Sequence, residues 1–306
     1  MQSDNYDVII IGSGPAGLSA GIYCARAGLK TLMFEKFSAG GQLLRIENVE
    51  NYPGFPGGIS GFELVEKMKL QARNFGVMFE MEEAVDIKSG IQVRVASGKT
   101  HNAKSAIIAT GARPKKLDIK GEAEFEGRGV SYCATCDGPL FKNKEVVVVG
   151  GGDTAIVESI YLMRLVRKLT LVHRRDALRA AKSLQDKVLK ENKAEIKWNS
   201  VPEEILGDKK VSGIRIRDIK INKISQVQAD GVFIFVGLQP QTEFLKGKLD
   251  LDEKGFIVTG PDLKTSLPGV FACGDATNNT FKQIVTSCSQ GATAAHACWR
   301  YVEGLG

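Results

Sequence analysis

The sequence predicts an α/β protein of two parallel-sheet domains, one inserted into the other, and three observations carry that reading. An apolar strand, a glycine-rich turn and a helix follow one another in YDVIIIGSGPAGLSAGIYCARAGLKTLMFEK (6–36). The same order returns in KEVVVVGGGDTAIVESIYLMRLVRKLTLVHRRDALRA (144–180). Near the carboxyl end, SLPGVFACGD (266–275) adds a strand and an acid ahead of a helix rich in small residues, which takes the chain back to the first domain. Strand, glycine turn and helix in this succession are the Rossmann-like βαβ pattern.

The first turn places Gly12, Gly14 and Gly17 in G-x-G-x-x-G spacing, with Pro15 and Ala16 between them. Glycines there allow the tight turn, the close approach of a pyrophosphate and close helix-to-sheet packing, while the helix amino terminus faces the phosphates. Glu35 stands 23 residues beyond Gly12, beside Lys36, where an acid takes the ribose hydroxyls of an adenosine. In the second turn, Gly150, Gly151 and Gly152 lead into Asp153 and Thr154, and Ala155 replaces the third glycine. There the equivalent position is His173, also 23 residues on, followed by Arg174, Arg175 and, a turn later, Arg179. An acid would repel a 2′-phosphate and arginines hold one, so the second site is read as an NADPH site.

SAIIATGARPKKL (105–117), with Thr110 and Gly111, and ADGVFIFVGLQPQT (229–242) each run from an apolar strand to glycine and proline. Each can close one domain and carry the chain to the other. Gly274 and Asp275 end a strand beside the first site, where an acid can bond the ribityl chain of a flavin. The expected division is an FAD domain in two parts, 1–116 and 244–306, around an NADPH domain of 117–243.

Bulk properties agree with a globular chain. At 306 residues and 43% hydrophobic content there is material for two cores. The amino-terminal apolar run is short, lacks a preceding basic segment and ends in glycines, so it reads as a strand rather than a signal peptide. No stretch is apolar enough to cross a bilayer, and a cytoplasmic location is expected. A net charge of +6 without a basic run interleaved with aromatics argues against nucleic acid.

Of the six cysteines, only Cys133 and Cys136, in SYCATCDGPLF (131–141), are closely spaced. A zinc site lacks its other ligands, since His101, His173 and His296 show no ligand spacing. A structural staple is disfavoured in a long chain from a reducing compartment. A redox dithiol is the favoured reading. Cys24, Cys273, Cys288 and Cys298 read as small core residues.

Taken together, GSGPAG, GGQL (40–43), ENYPGF (50–55), CATCDG (133–138), GGGDTA, HRRDALRA and the late Gly-Asp pair closely resemble the low-molecular-weight, bacterial-type thioredoxin reductases. The resemblance spans nearly the whole chain. It implies tightly bound FAD, use of NADPH, a homodimer, and thioredoxin as the protein substrate. It also assigns Gly40, Gly41, Gln42, Leu43, Asn51, Lys282, Gln283 and Ile284 to the flavin site. Lys282 departs from the arginine common in the family, keeping the charge but losing the planar fork. Asp153 stands where some members have asparagine.

By the same resemblance, Cys136 faces the flavin, Cys133 attacks the substrate disulfide, and Asp137 handles the proton of the released thiolate. The alternative for Asp137 is a helix cap. Because the dithiol must meet first flavin and then a protein, the resemblance and domain order imply rotation of the inserted domain about connectors near 112–120 and 240–246, which hold Pro114 and Pro240. Rival readings keep the architecture but change the donor to ferredoxin or the acceptor to a peroxiredoxin or small dithiol, or make the protein a flavin-bound redox sensor.

Overall fold

A computed structural model describes residues 5–46 and 48–305, so residues 1–4 of the expected first domain, Glu47 and Gly306 lie outside the described residues. The chain divides into two compact units, Met1–Arg113 with Gln239–Gly306, and Pro114–Leu238. The breaks lie at 113/114 and 238/239, where the sequence placed them at 116/117 and 243/244. The connectors are themselves short strands, which continue regular structure up to the crossing points.

Strand β1 (Asn5–Ile11) leads through the first glycine turn into α1 (Pro15–Arg26) and back to β2 (Thr31–Phe34). Then come α2 (Gly61–Asn74), β3 (Met78–Glu80), β4 (Ala84–Lys88), β5 (Gln92–Val95), β6 (Thr100–Ile108) and the connector β7 (Ala112–Pro114). The second unit holds β8 (Val130–Ser131), α3 (Ala134–Asp137), β9 (Glu145–Gly150), α4 (Asp153–Met163), β10 (Lys168–Val172), α5 (Lys182–Leu189) and β11 (Ala194–Lys197). It continues with β12 (Ser200–Gly207), β13 (Val211–Asp218), β14 (Lys223–Gln228) and β15 (Gly231–Phe235). The return connector β16 (Leu238–Pro240) pairs with β7, and β17 (Val270–Ala272) and α6 (Ile284–Val302) complete the first unit.

The first sheet has the order β3-β2-β1-β6-β5-β4, and its branch point is β6. The carboxyl half of β6 pairs parallel with β17 at Ala106–Ile108, while its amino half pairs antiparallel with β5. Val8, Ile9 and Ile10 are wholly buried because helices or loops cover both faces, which explains an unbroken apolar run in place of alternation. Each such side chain contributes about 1.5–3 kcal/mol by leaving water. Helix α1 buries nearly all round, and its small residues permit close packing. A Cβ on Gly291 of α6 would fall 2.2 Å from the carbonyl oxygen of Ala16.

The second unit repeats the plan in a parallel sheet of order β11-β10-β9-β15-β8, with an antiparallel sheet β12-β13-β14 beside it. Val146–Val149 of β9 and Val232–Ile234 of β15 form its floor. Among the described residues, no helix is long and apolar enough to cross a membrane.

Candidate functional site

Cys133 and Cys136 are joined by a disulfide with Cα atoms 5.3 Å apart. Cys133 caps α3, and its sulfur accepts the Cys136 N–H at 3.2 Å while lying 3.4 Å from Thr135 Oγ1. After reduction, donors at that sulfur favour the Cys133 thiolate. Asp137 closes α3, and its Oδ2 accepts a 2.6 Å hydrogen bond from Ser131 Oγ. It precedes the 3-10 turn Gly138–Phe141 and makes no side-chain cap bond there. From α4, the Glu158 carboxyl faces the backbone of Ala134 and Thr135, its Oε2 is buried with no hydrogen-bond partner in the structure, and burial holds it above the usual carboxylate range.

The first glycine turn is a cradle that side chains would fill. Gly12 has φ +103°, and a Cβ there would fall 2.4 Å from the Ala109 oxygen; one on Gly17 would fall 1.9 Å from the Gly12 oxygen. A Cβ on Gly14 meets nothing within 4 Å, which leaves open space in front of the α1 amino terminus, where Gly14 gives no side-chain cap and Pro15 opens the helix. Gly40 and Gly41 both have positive φ, and the Gly40 N–H bonds the Ser13 oxygen at 2.8 Å, which lays the GGQL turn beside the cradle. Gln42 donates to the Ala112 oxygen, and Leu43 is buried.

Glu35 follows β2 with its carboxylate engaged by the protein. Oε2 accepts from Ser13 N and Oγ at 3.0 and 2.8 Å, and Oε1 from the N–H groups of Lys36 and Phe37. The Thr110 hydroxyl, at the strand end facing the turn, is buried with no hydrogen-bond partner in the structure, and Gly111 beyond it has φ +72°. Asp275 lies against α6, where Ser287 Oγ donates to it at 3.3 Å. Burial raises the Asp275 carboxyl above its ordinary value, and nearby Lys282 partly offsets this. Asn51 Nδ2 donates to Gln283 Oε1 at 3.1 Å, and Gln283 caps α6 ahead of Ile284. The glycine cradle, the orphan hydroxyl and this acid on one sheet edge fit a flavin dinucleotide.

Lys282 is bonded within its own loop. Its Nζ donates to the carbonyl oxygens of Asp275 and Thr277 at 3.0 and 2.9 Å and to Asn279 Oδ1 at 3.3 Å, 4.4 Å from the centre of the Phe256 ring. Those three acceptors account for all the ammonium hydrogens, so Lys282 ties the Asp275 loop together.

In the second unit, a Cβ on Gly150 would lie 2.6 Å from the Phe235 oxygen, and one on Gly151 only 2.2 Å from the His173 ring. His173 is therefore a buried wall beneath the turn, bonded to the Ala177 oxygen at 3.1 Å, and burial lowers its pKa. Gly152 precedes α4 without a side-chain cap, Thr154 lies in its first turn, and Ala155 is buried against the turn. Asp153 Oδ1 accepts the Ala181 N–H at 2.8 Å, and the Arg179 N–H bonds the Gly151 oxygen at 2.8 Å. Arg174, Arg175 and Arg179 are exposed, and none forms a salt bridge among the described residues. Unpaired guanidiniums at the ribose end of the βαβ unit fit a 2′-phosphate.

Residues 6–291 match the pyridine nucleotide-disulphide oxidoreductase family. A thioredoxin reductase of Treponema pallidum is 46% identical, covering 100% of this chain and 99% of the relative. One from Listeria monocytogenes is 47% identical, with 98% of this chain and 95% of the relative covered. The crystal structure of thioredoxin reductase from Streptococcus pyogenes superposes with a TM-score of 0.92 at 40% identity, over 99% of this chain and 100% of that one. The chain belongs to the pyridine nucleotide-disulphide oxidoreductases and, within them, to the low-molecular-weight thioredoxin reductase family.

Sequence reasoning passed over Ser13, Ser131 and Glu158. A serine inside a glycine turn and another two residues before a C-x-x-C pair were the available signals; Glu158 offered none, because its role depends on α4 packing on α3.

Proposed function

We propose that the protein uses NADPH to reduce the disulfide of thioredoxin or a thioredoxin-like protein, with FAD and the Cys133–Cys136 disulfide as intermediate carriers. One observation carries the reading: a disulfide on an acid-bearing turn shares its unit with a glycine turn flanked by three unpaired arginines. Gly150–Gly152 and Arg174, Arg175 and Arg179 hold NADPH, while Gly12, Gly14, Gly17, Thr110, Asn51 and Asp275 hold FAD.

FAD held by those residues would supply the electron pair, drawn from NADPH, that opens the disulfide. The two sulfurs take up two electrons and one proton, which Asp137 supplies to the flavin-side Cys136, and Cys133 is left as the thiolate. The Cys133 thiolate then attacks the partner disulfide; a Cys133–partner S–S bond forms as the partner S–S bond breaks, releasing one partner thiolate. Cys136, giving its proton back to Asp137, attacks that mixed disulfide, restoring Cys133–Cys136 and releasing the second partner thiolate, and both partner thiolates take protons from solvent.

These half-reactions need different neighbours at one dithiol. Rotation of the Pro114–Leu238 unit about β7 and β16 meets that need, and the family likeness supports a homodimer working in the cytoplasm. Anaerobic titration with NADPH, following flavin bleaching, is the test. Uptake of about four electron equivalents, two for flavin and two for disulfide, is expected. Uptake of two means the disulfide is not coupled to the flavin, and no uptake excludes NADPH as donor.

A further inference from the structure

Ser131 ends β8 with its hydroxyl buried beneath the disulfide turn. Its Oγ lies 2.6 Å from Asp137 Oδ2 and 3.2 Å from the Cys133 carbonyl oxygen, and it accepts the Cys133 N–H at 3.1 Å. A hydroxyl has one hydrogen, so it donates to only one of those two acceptors at a time. The Cys133 oxygen has another donor, the Asp137 N–H at 3.1 Å, so it is satisfied whichever way the hydroxyl points.

We infer that Ser131 is the positioning residue for the dithiol's acid: its hydroxyl fixes the Asp137 carboxyl at the Cys133–Cys136 turn and reverses hydrogen-bond direction as that carboxyl gains and loses its proton. The inference rests on the reading of Asp137 as the acid. When Asp137 is ionised, Ser131 donates to Oδ2. When it is protonated, Oδ2–H donates to Ser131 Oγ, and the serine hydrogen turns to the Cys133 oxygen. Passing the proton from Asp137 to the released thiolate sends the serine hydrogen back to the carboxylate, so a compensating donor is in place the moment charge appears. No other group has to move.

Titratable groups also face this turn. Glu158 faces Ala134 and Thr135 from α4, and Tyr161 of α4 borders Gly138. On the far side Tyr132 is bonded to Glu122, and β15 offers only Val232 and Phe233 opposite β8. A bond donated to a carboxylate is stronger than one accepted from a neutral acid, so loss of the hydroxyl favours the protonated form.

The experiment follows thioredoxin reduction by the pre-reduced, FAD-loaded protein as a function of pH, in Ser131→Val and Ser131→Thr. These two side chains have the same shape, and both suit a strand. A parallel set carries Glu158→Gln, and because the Cys133 and Cys136 thiols titrate in every variant, the readout is the difference between the Val and Thr midpoints. Ser131→Val is expected to move the pH midpoint upward by about one unit, and Ser131→Thr to leave it within about 0.3. Equal midpoints for Val, Thr and wild type overturn the inference. Asp137→Asn separates the two failures. If it slows the step about a hundredfold while the serine variants share one midpoint, only the role of Ser131 falls. If it changes nothing, the acid reading falls too, and with it the inference. Should Ser131→Val fail to bind FAD, Ser131→Ala takes its place with the same expected shift.

Discussion

Tyr132 donates a 2.8 Å hydrogen bond from its hydroxyl to Glu122 Oε1, and the same carboxylate takes the backbone N–H groups of Leu117 and Asp118 at 2.7–3.0 Å. Glu122, only 2% exposed, thus ties the segment just past the β7 connector to the residue before Cys133. Asp118 adopts φ +56° to turn its N–H toward that acceptor. Burial, then the bond to Glu122, pushes the Tyr132 phenol far above its ordinary value. The folded-state value is raised, so the folded form keeps its proton where the unfolded chain loses it, and stability falls as pH rises above about 10. Tyr132→Phe is expected to cost about 1 kcal/mol at neutral pH and to flatten the alkaline fall. Urea unfolding from pH 7 to 11 checks both; parallel curves for variant and wild type contradict the assignment.

Asp275 and Lys282 predict opposite outcomes in flavin-free protein. Burial raises the Asp275 carboxyl despite Lys282, so its contribution is fullest below the unfolded value and is lost as pH rises through the folded one. At neutral pH the ionised carboxylate therefore opposes folding. Asp275→Asn should raise the melting temperature of apoprotein while weakening FAD binding. Lys282→Met deletes three hydrogen bonds that close the 275–279 loop and should lower both. Thermal melts with and without FAD decide it: a stabilised apoprotein in Lys282→Met, or a destabilised one in Asp275→Asn, reverses the electrostatic argument.

If Arg174, Arg175 and Arg179 hold the 2′-phosphate as proposed, they set donor preference. Hydrogen bonds to a charged phosphate are worth about 1.5–3 kcal/mol each. Arg174→Ala or Arg175→Ala should raise KM for NADPH about tenfold or more and leave KM for NADH unchanged. Arg179→Ala should do likewise, with its backbone bond to Gly151 intact. Steady-state kinetics with both nucleotides measures the difference. An equal rise for NADPH and NADH would place these residues outside the 2′-phosphate pocket.

What was legible in the sequence was what the backbone alone dictates. GSGPAG and GGGDTA announce turns that only glycine can make at Gly12 and Gly150, and the valine and isoleucine runs before them announce buried parallel strands. CATCDG is equally local, since two sulfurs three residues apart meet within one turn. The β4–β5 hairpin and the β12–β14 sheet were not seen, because no glycine fingerprint accompanies them and their half-exposed strands lack the unbroken apolar runs of β1 and β9. Partner choice was the other blind spot. Ser13, Lys36 and Phe37 orient the Glu35 carboxylate at the end of β2, and Lys282 donates to carbonyl oxygens. Such pairings depend on which loops tertiary packing brings together, and spacing along the chain does not encode that.

Within the first glycine turn, Gly14 and Gly17 separate binding from folding. A methyl group on Gly17 would overlap the Gly12 carbonyl at 1.9 Å, with backbone on both sides and no flexible side chain to yield. Gly17→Ala should therefore force α1 off the sheet, disturb its packing on α6 and give insoluble or unfolded protein. Gly14 is different, since a methyl group there meets no protein atom within 4 Å and the φ of −71° suits any residue. Gly14→Ala should fold with unchanged apoprotein stability, because the only thing that its methyl group displaces is the pyrophosphate that approaches the α1 amino terminus. FAD affinity is expected to fall about a hundredfold or more, while NADPH binding to the separate turn at Gly150–Gly152 stays intact. Isothermal titration of apoprotein with each nucleotide reads the two sites independently. Full FAD affinity in Gly14→Ala would mean that the pyrophosphate lies elsewhere, and the cradle assignment would fall with it.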